Sequence, residues 1–394
     1  MELRQWQVEA IEYLNEKKKA IFEVATGAGK TFFAIAIVKE LRKRYPNFRV
    51  LIVGPKNVII ENTWLSELST HGFGIHQIGI FNGNAKEVCD ITLASIQSSH
   101  KLIELGFMDY FDMIIYDEVH NYGTDNYLKI IEIDKPFKVG LSATLEREDN
   151  MHYSIMKAFN FNVFKYEIQN ALKDKILNPF DFKHVLLSMD YDTQQEYEQI
   201  DHVIQARLQA IGGYGKFKEL KDDDPNKLAL MKLFSERREL IHNYDGKKEA
   251  VVKIVEMHKH SKILIFNQVN KISFDLYFLL KANGVKCGII NSDIGKSEQT
   301  QVLKDFEQGR INILLATTML DEGYNLPKID VAIIMGSNST TKQFIQRMGR
   351  VLRKKDKNST VYYMTVQHTF EDQYLEDKKE LIQEICNSYE VIRA

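Results

Sequence analysis

The chain has 394 residues, 44% of them hydrophobic and 27% charged, with 21 glycines and 6 prolines. That length suits two or three domains rather than one small binding module, and the composition excludes a disordered, collagen-like or membrane chain. With 52 basic against 54 acidic side chains, a net charge of -2, a uniformly basic nucleic-acid coat is excluded and any polyanion site must be local.

Cys89, Cys287 and Cys386 are odd in number and far apart, which fits neither a disulfide framework nor a metal cluster. The opening MELRQWQVEA is polar where a secretion signal needs an apolar core, and no run reaches the roughly 18 apolar residues of a membrane span. A reduced, cytoplasmic setting in a prokaryotic or virus-infected cell is expected.

Short Val- and Ile-rich runs alternate with helical patterns, as in βαβ units around a parallel sheet. The first block offers strands at Ala20–Ala25, Arg49–Val53, Cys89–Ala94, Met113–Tyr116 and Phe137–Ser142, with helical spacing over Thr31–Leu41 and Glu61–Thr70. Next comes a different stretch, Lys165–Lys248. Thr193 and Glu196 form a capping-box pattern, and Ile200, Val203, Ile204, Leu208 and Ile211 keep a helical period as far as Gly212 and Gly213. After the polar linker KDDDPNK, Leu228, Met231, Leu233 and Phe234 open a second helical pattern, so a helical hairpin with a charged loop is predicted. GGYGKF at 212–217 has no strand before it and reads as a flexible loop rather than a second phosphate site, with contact to a DNA strand as the other reading. The second block has strands at Lys262–Phe266, Val285–Ile290, Ile311–Ala316, Val331–Met335 and Thr360–Thr365, and helices near Ser273–Lys281, Ser297–Phe306 and Thr340–Leu352.

The first strand runs into ATGAGKT, Ala25 to Thr31, and then directly into a helix. Small residues let backbone N–H groups approach phosphate oxygens, Lys30 can reach the outer phosphates, and Thr31 can ligate Mg²⁺. Thr26, Gly27, Ala28 and Gly29 form the cradle. The common GxxxxGK[ST] pattern would place a glycine where this chain has Val24. Asp117-Glu118-Val119-His120 follows the apolar strand MIIY, where Asp117 can hold Mg²⁺ and Glu118 can orient and deprotonate the attacking water.

With these two motifs the chain resembles a superfamily 2 DExH-box helicase, which implies an α/β fold of two tandem RecA-like parallel-sheet domains. Leu3-Arg4-Gln5-Trp6-Gln7 resembles the adenine-recognition element, with Gln7 as the base-reading amide and Arg4 or Trp6 as stacking groups. Val53-Gly54-Pro55-Lys56 and Thr92-Leu93-Ala94-Ser95-Ile96-Gln97 resemble the strand-contacting motifs Ia and Ib, and Ser142-Ala143-Thr144 resembles motif III, tied in the family to the DExH histidine, here His120. Ile263-Leu264-Ile265-Phe266 resembles motif IV. Thr317-Thr318 and Asp321-Glu322-Gly323 through Pro327 resemble motif V, with Gly323 assigned to the nucleotide. Gln346-Arg347-Met348-Gly349-Arg350-Val351-Leu352-Arg353 resembles motif VI; Arg350 and Arg353 lie three apart and can share a helix face toward the γ-phosphate, with Gln346 beside them.

A narrower likeness is to the XPB-like and type III restriction-helicase-like group, in which an Arg-Glu-Asp element, here Arg147, Glu148 and Asp149, follows motif III and is tied to duplex opening. The other reading of that triplet is a charged loop. XPB relatives carry a helical thumb, and the hairpin at roughly 190–245 takes a suitable place. Their usual domain before the adenine element has no counterpart ahead of residue 3, so its DNA-damage-binding role is not carried over.

The expected organisation is a nucleotide-binding domain over 1–165, a linker and thumb-like hairpin over 166–248, and a second RecA-like domain over 249–394. The resemblance implies ATP and Mg²⁺ as cofactors and a monomer, when free, that couples ATP-driven domain closure to movement on duplex, forked or branched DNA. Lys56, Thr92, Gln97 and Thr317 are the expected phosphate contacts. A nuclease or a replication or repair protein is a possible partner. The alternatives are the motor subunit of a restriction or defence nuclease complex, an RNA helicase, and a nucleotide-controlled binding scaffold.

Overall fold

The computed structural model describes residues 2–55, 63–147, 149–317, 328–336, 344 and 358–394. The chain falls into two compact units, each built on its own seven-stranded sheet, with Pro179 in the first and Phe180 in the second.

The first sheet comprises β1 (Lys19–Val24), β2 (Val50–Gly54), β3 (Ile78–Phe81), β4 (Ile91–Ser95), β5 (Met113–Tyr116), β6 (Phe137–Ser142) and β7 (Val163–Tyr166). They lie in the order β3-β4-β2-β5-β6-β1-β7, every pair parallel. Sheets covered on both faces select continuous apolar runs, and β2, β4, β5 and β6 are buried at every position. Because the strands are parallel, the carboxyl ends of β1, β5 and β6 emerge along one edge, where a ligand site is expected in such sheets.

The second sheet contains β8 (Phe180–Leu187), β9 (Ile263–Phe266), β10 (Cys287–Ile290), β11 (Ile313–Ala316), β12 (Val331–Ile334), β13 (Ser359–Val366) and β14 (Cys386–Arg393). Its order is β10-β11-β9-β12-β13-β8-β14, again parallel throughout. Both sheets carry the parallel, helix-connected architecture expected of tandem RecA-like cores.

The stretch 166–248 holds more than a linker and a hairpin. The helix Ile168–Lys173 stays with the first unit, whereas β8 pairs along its whole length with β13 inside the second sheet. The helices Tyr191–Ala210 and Pro225–Asn243 form the hairpin, each capped by an aspartate, Asp190 and Asp224. GGYGKF is not a loop throughout: Gly212 and Gly213 take positive φ, at 91° and 95°, and then a short helix, Tyr214–Glu219, begins. Only glycine adopts that backbone cheaply, so the pair breaks the long helix and starts the short one.

At the foot of the hairpin His242 is 6% exposed, and among the described residues its Nε2 has no hydrogen-bond partner. Burial, then the nearby Lys247 and Arg238 cations, pull its pKa down to about 3. An unfolded histidine titrates near 6.5, so the unfolded chain binds the extra proton. The contribution is therefore complete above about pH 6.5 and is lost as pH falls toward 3. His242→Leu is expected to flatten the decline in urea-unfolding midpoint between about pH 7 and pH 5; an unchanged slope would assign that decline to other groups.

Among the described residues no helix is long and apolar enough to cross a membrane.

Candidate functional site

The loop after β1 is shaped by two glycines. Gly27 has φ 84° and Gly29 has φ 100°, both in the left-handed region, and Gly29 directly precedes the helix Lys30–Arg44. A Cβ at Gly29 would sit 3.3 Å from Gln7 Nε2 and 3.5 Å from Arg4 Nη1. The missing side chain thus lets both reach the loop. Arg4 Nη1 donates to Ala28 O at 2.6 Å, Gln7 Nε2 donates to Gly29 O at 3.3 Å, and Arg4 N donates to Gln7 Oε1 at 2.9 Å. Lys30 Nζ donates to Val24 O at 3.0 Å, so the lysine folds back along its own loop.

Trp6 is not available as a stacking surface. It is 2% exposed and stacks on Tyr166, with ring centroids 5.1 Å apart, while Phe33 covers it at 5.4 Å. An indole with that much apolar area is worth more in the core than at a polar rim. Of the two stacking candidates, Arg4 alone stands at the loop.

The acidic pair arrives from β5. In the sheet β6 lies between β1 and β5, so β5 is one strand further from the phosphate loop than immediate adjacency would place it. Asp117 is 9% exposed; its Oδ2 accepts from Trp64 Nε1 at 2.8 Å and its Oδ1 from Glu118 N at 3.0 Å. Trp64, fully buried, is a positioning residue that the sequence reading passed over as part of an amphipathic segment. The available signal was chemical: a buried indole N–H needs an acceptor.

Glu118 adopts φ 46°, ψ 54°, a left-handed conformation that a residue with a Cβ enters only at a cost. The bend turns its side chain back toward His120, whose Nδ1 lies 3.4 Å from Glu118 Oε2. His120 is fully buried and its Nδ1 is 2.8 Å from Ser142 Oγ at the end of β6. Ser142 Oγ spends its single proton on Thr144 O at 2.5 Å, so it must accept from His120, which therefore carries its proton on Nδ1. The predicted link between the DExH box and motif III is a continuous chain of polar contacts.

Arg147 extends that chain. Its Nη1 donates to His120 O at 2.5 Å, while Nε and Nη2 make a two-pronged pair with Asp149 at 2.9 and 2.5 Å. A Cβ at Gly123 would fall 2.9 Å from Arg147 Nε, so a glycine there leaves the guanidinium its path. The Arg147 hydrogen bonds hold the Asp149 carboxyl down at about 2. Arg147 pairs with Asp149 and with the DExH backbone, on a segment outside helix and strand where Asp149 itself is exposed.

The remaining expected residues separate. Thr92 is fully buried and its hydroxyl bonds to Cys89 O at 2.8 Å, which corrects its assignment as a phosphate contact: no surface remains for one. Thr317, 3% exposed, sits just past β11 with its N–H on Ile290 O at 3.3 Å. Gln97 is exposed on the helix Ile96–Glu104. Thr144 is half-buried with its hydroxyl unpartnered. Lys56, Glu148, Gly323, Gln346, Arg350 and Arg353 lie outside the described residues, as does motif V beyond Thr317.

The donors present suit ATP with Mg²⁺. A glycine-shaped loop at a helix N-terminus suits phosphate, and the Thr31 hydroxyl and Asp117 carboxylate supply the oxygen ligands that a hard cation prefers.

Residues 1–147 match the family "Type III restriction enzyme, res subunit", and residues 246–355 match "Helicase conserved C-terminal domain". A DNA 3'-5' translocase XPB2 of Sulfurisphaera tokodaii is 26% identical over 94% of this chain and 82% of its own length. A DNA 3'-5' helicase XPB of Kineococcus radiotolerans is 22% identical over the whole of this chain, which spans 65% of that protein. The helicase domain of Pyrococcus furiosus Hef shares the fold, with a TM-score of 0.65 at 15% identity over 96% of this chain and 98% of that one. Two family matches in series, on a phosphate loop, a DExH box and two parallel sheets, place the chain among the superfamily 2 DExH-box helicases related to the XPB-like and type III restriction-enzyme helicases.

Proposed function

We propose that the chain is an ATP- and Mg²⁺-dependent DNA helicase or double-strand translocase that couples hydrolysis to strand separation or remodelling of branched DNA. The observation that carries the reading is the polar chain from Glu118 through His120 and Ser142 to Thr144, with Arg147 bound to the same histidine's backbone. A bare hydrolase has no use for wiring its catalytic carboxylate to a segment beyond the nucleotide. The two relatives, a DNA translocase and a DNA helicase, support DNA as the polymer.

Lys30, Thr31 and the loop amides would bind the phosphates, and Gln7 with Arg4 would meet the base. Thr31 and Asp117 would hold Mg²⁺, which when bound supplies charge neutralisation at the phosphate oxygens. Glu118 accepts the proton of the attacking water at its carboxylate, and His120 stands beside that carboxylate, its Nδ1 3.4 Å from Glu118 Oε2. Arg350 and Arg353 are the proposed source of positive charge for the phosphoryl oxygens, an effect of about 10³–10⁵ in rate in comparable hydrolases. Gln97 and Lys56 are proposed to face the nucleic acid, whereas Thr317, at 3% exposed, is buried much as Thr92 is; contacts to phosphate bind without reading sequence. The proposed setting is intracellular.

The likeness to a restriction-enzyme subunit favours a second reading, the motor of a nuclease complex, for which co-purification with a nuclease is the test. The primary test is ATP hydrolysis in the presence of duplex, forked and single-stranded DNA and of RNA. Stimulation by DNA is expected; no stimulation by any nucleic acid overturns the proposal.

Arg147→Ala is expected to retain most of the DNA-stimulated ATP hydrolysis while strand separation on a fork falls about ten-fold, because the break lies behind His120 rather than at Glu118. An equal fall in both rates would limit Arg147 to holding the DExH loop.

A further inference from the structure

Three short faces of the second unit meet around a cleft unrelated to any nucleotide motif. Phe234, Arg237 and Arg238 share a face of the helix Pro225–Asn243 at spacings of three and four, Phe370 and Tyr374 share one on the helix Phe370–Glu376, and Tyr214 comes from the helix Tyr214–Glu219. The space they enclose is about 160 Å³. Ordinary ligand pockets run to roughly 300–1,000 Å³, so this one suits a single planar group rather than a whole nucleotide.

Part of this cluster is ordinary packing. Phe217 stands edge-on to Phe234 at 5.4 Å and explains why Phe234 is half-buried. Tyr214 stacks on Phe217 at 5.6 Å and Tyr374 meets Phe370 edge-on at 5.8 Å, yet the two tyrosines stay 55% and 39% exposed in the cleft wall. The Arg237 guanidinium lies 5.7 Å from the Phe234 ring and 5.3 Å from the Phe370 ring, pinned there by an ion pair with Asp201, and its Nε is buried with no hydrogen-bond partner. Arg238 is exposed and makes no salt bridge among the described residues. Among the described residues no carboxylate lines the cleft, Asp201 reaching it only through its pair with Arg237.

Partly exposed tyrosine rings with the Lys218 and Lys378 ammoniums 5.2 and 5.6 Å from them, a stacked guanidinium and an arginine with no salt bridge among the described residues are complementary to an unstacked base and its phosphate. We infer that this cleft seats one extruded base of single-stranded DNA, with Tyr214 and Tyr374 against the base and Arg238 on the adjoining phosphate. The inference rests on the proposed DNA-directed function. It adds a stacking site on the helical hairpin to a chain whose expected nucleic-acid contacts are otherwise backbone contacts. Stacking tolerates any base, so the site would hold a displaced strand without sequence preference.

The test measures binding of a fluorescein-labelled oligo(dT) by anisotropy to the full chain and to Tyr214→Ala, Tyr374→Ala, Tyr374→Phe and Arg238→Ala. Each tyrosine-to-alanine change is expected to weaken binding at least five-fold, and Tyr374→Phe to restore it. Arg238→Ala is expected to reduce the slope of log affinity against log salt by about 0.7, one phosphate contact on a single strand. Photocrosslinking with 5-iodo-deoxyuridine oligonucleotides is expected to label Tyr214 or Tyr374. Unchanged affinity in both alanine variants, with crosslinks elsewhere, overturns the inference and leaves the helicase reading standing. If the wild-type chain binds no DNA and none stimulates it, the helicase reading itself fails.

Discussion

Replacing Glu118 by Gln is expected to lower DNA-stimulated ATP hydrolysis by about 10²–10⁴-fold, the usual worth of a positioned general base. The amide keeps the shape of the carboxylate but cannot accept the water's proton. Its position is sustained at a cost: a left-handed backbone at Glu118, φ 46°, persists because the Asp117 carboxylate accepts the Glu118 N–H at 3.0 Å and His120 sits 3.4 Å from the side chain. Lys30→Ala should lose turnover to a similar degree by a different route. On the proposed role the lysine would meet phosphate, so nucleotide affinity should fall with it, whereas Glu118→Gln should still bind nucleotide. Measuring kcat and the dissociation constant of a fluorescent ATP analogue for both variants separates the two roles. Retention of more than about a tenth of the wild-type rate by Glu118→Gln would remove it from the catalytic step.

The parts of this site that the sequence announces are those where chain order and space coincide. ATGAGKT and the DEVH tetrad each follow an apolar strand, and a parallel sheet brings the carboxyl ends of such strands to one edge, so both motifs could be placed before any coordinates. What pattern could not show is which polar groups are used up inside. Thr92 falls within a strand-contacting motif, yet its hydroxyl closes a turn on Cys89. Lys138 stands mid-strand in FKVGLS and reads as a break in a buried run; it is 2% exposed, its ammonium donates to Ala158 O at 2.9 Å and to Ile131 O, and burial pulls its pKa down to about 8. β8 escaped because FDFKHVLL mixes alternation with a charged interior, and β14 because an edge strand written CNSYEVIR is mostly exposed. Long-range partners, rather than local propensity, decide Lys138, β8 and β14, while Thr92 is spent on a turn three residues away.

The same limit hides the feature with the largest expected effect on stability. Lys247→Met is expected to destabilise the second unit by about 3–5 kcal/mol, because it strands a buried carboxylate. Lys247 is fully buried and Glu371 is 1% exposed, and the ammonium donates to Glu371 Oε1 at 2.7 Å while Oε2 accepts Val366 N at 3.1 Å. Burial pushes the Lys247 ammonium down and the Glu371 carboxyl up, and their mutual attraction opposes both shifts. The pair ties the helix Asp245–Met257 to the helix Phe370–Glu376 beneath the end of β12. Gly336, at φ 83°, leaves it room: a Cβ there would collide with Glu371 Oε1 and lie 2.8 Å from Lys247 Nζ. Lys247→Met with Glu371→Leu should recover most of the loss, since an apolar pair of similar volume leaves no buried charge behind. Urea unfolding of the two variants, followed by a probe in the second unit, measures the difference. If the double variant is no more stable than Lys247→Met alone, the loss comes from packing around the lysine stem and not from the stranded charge.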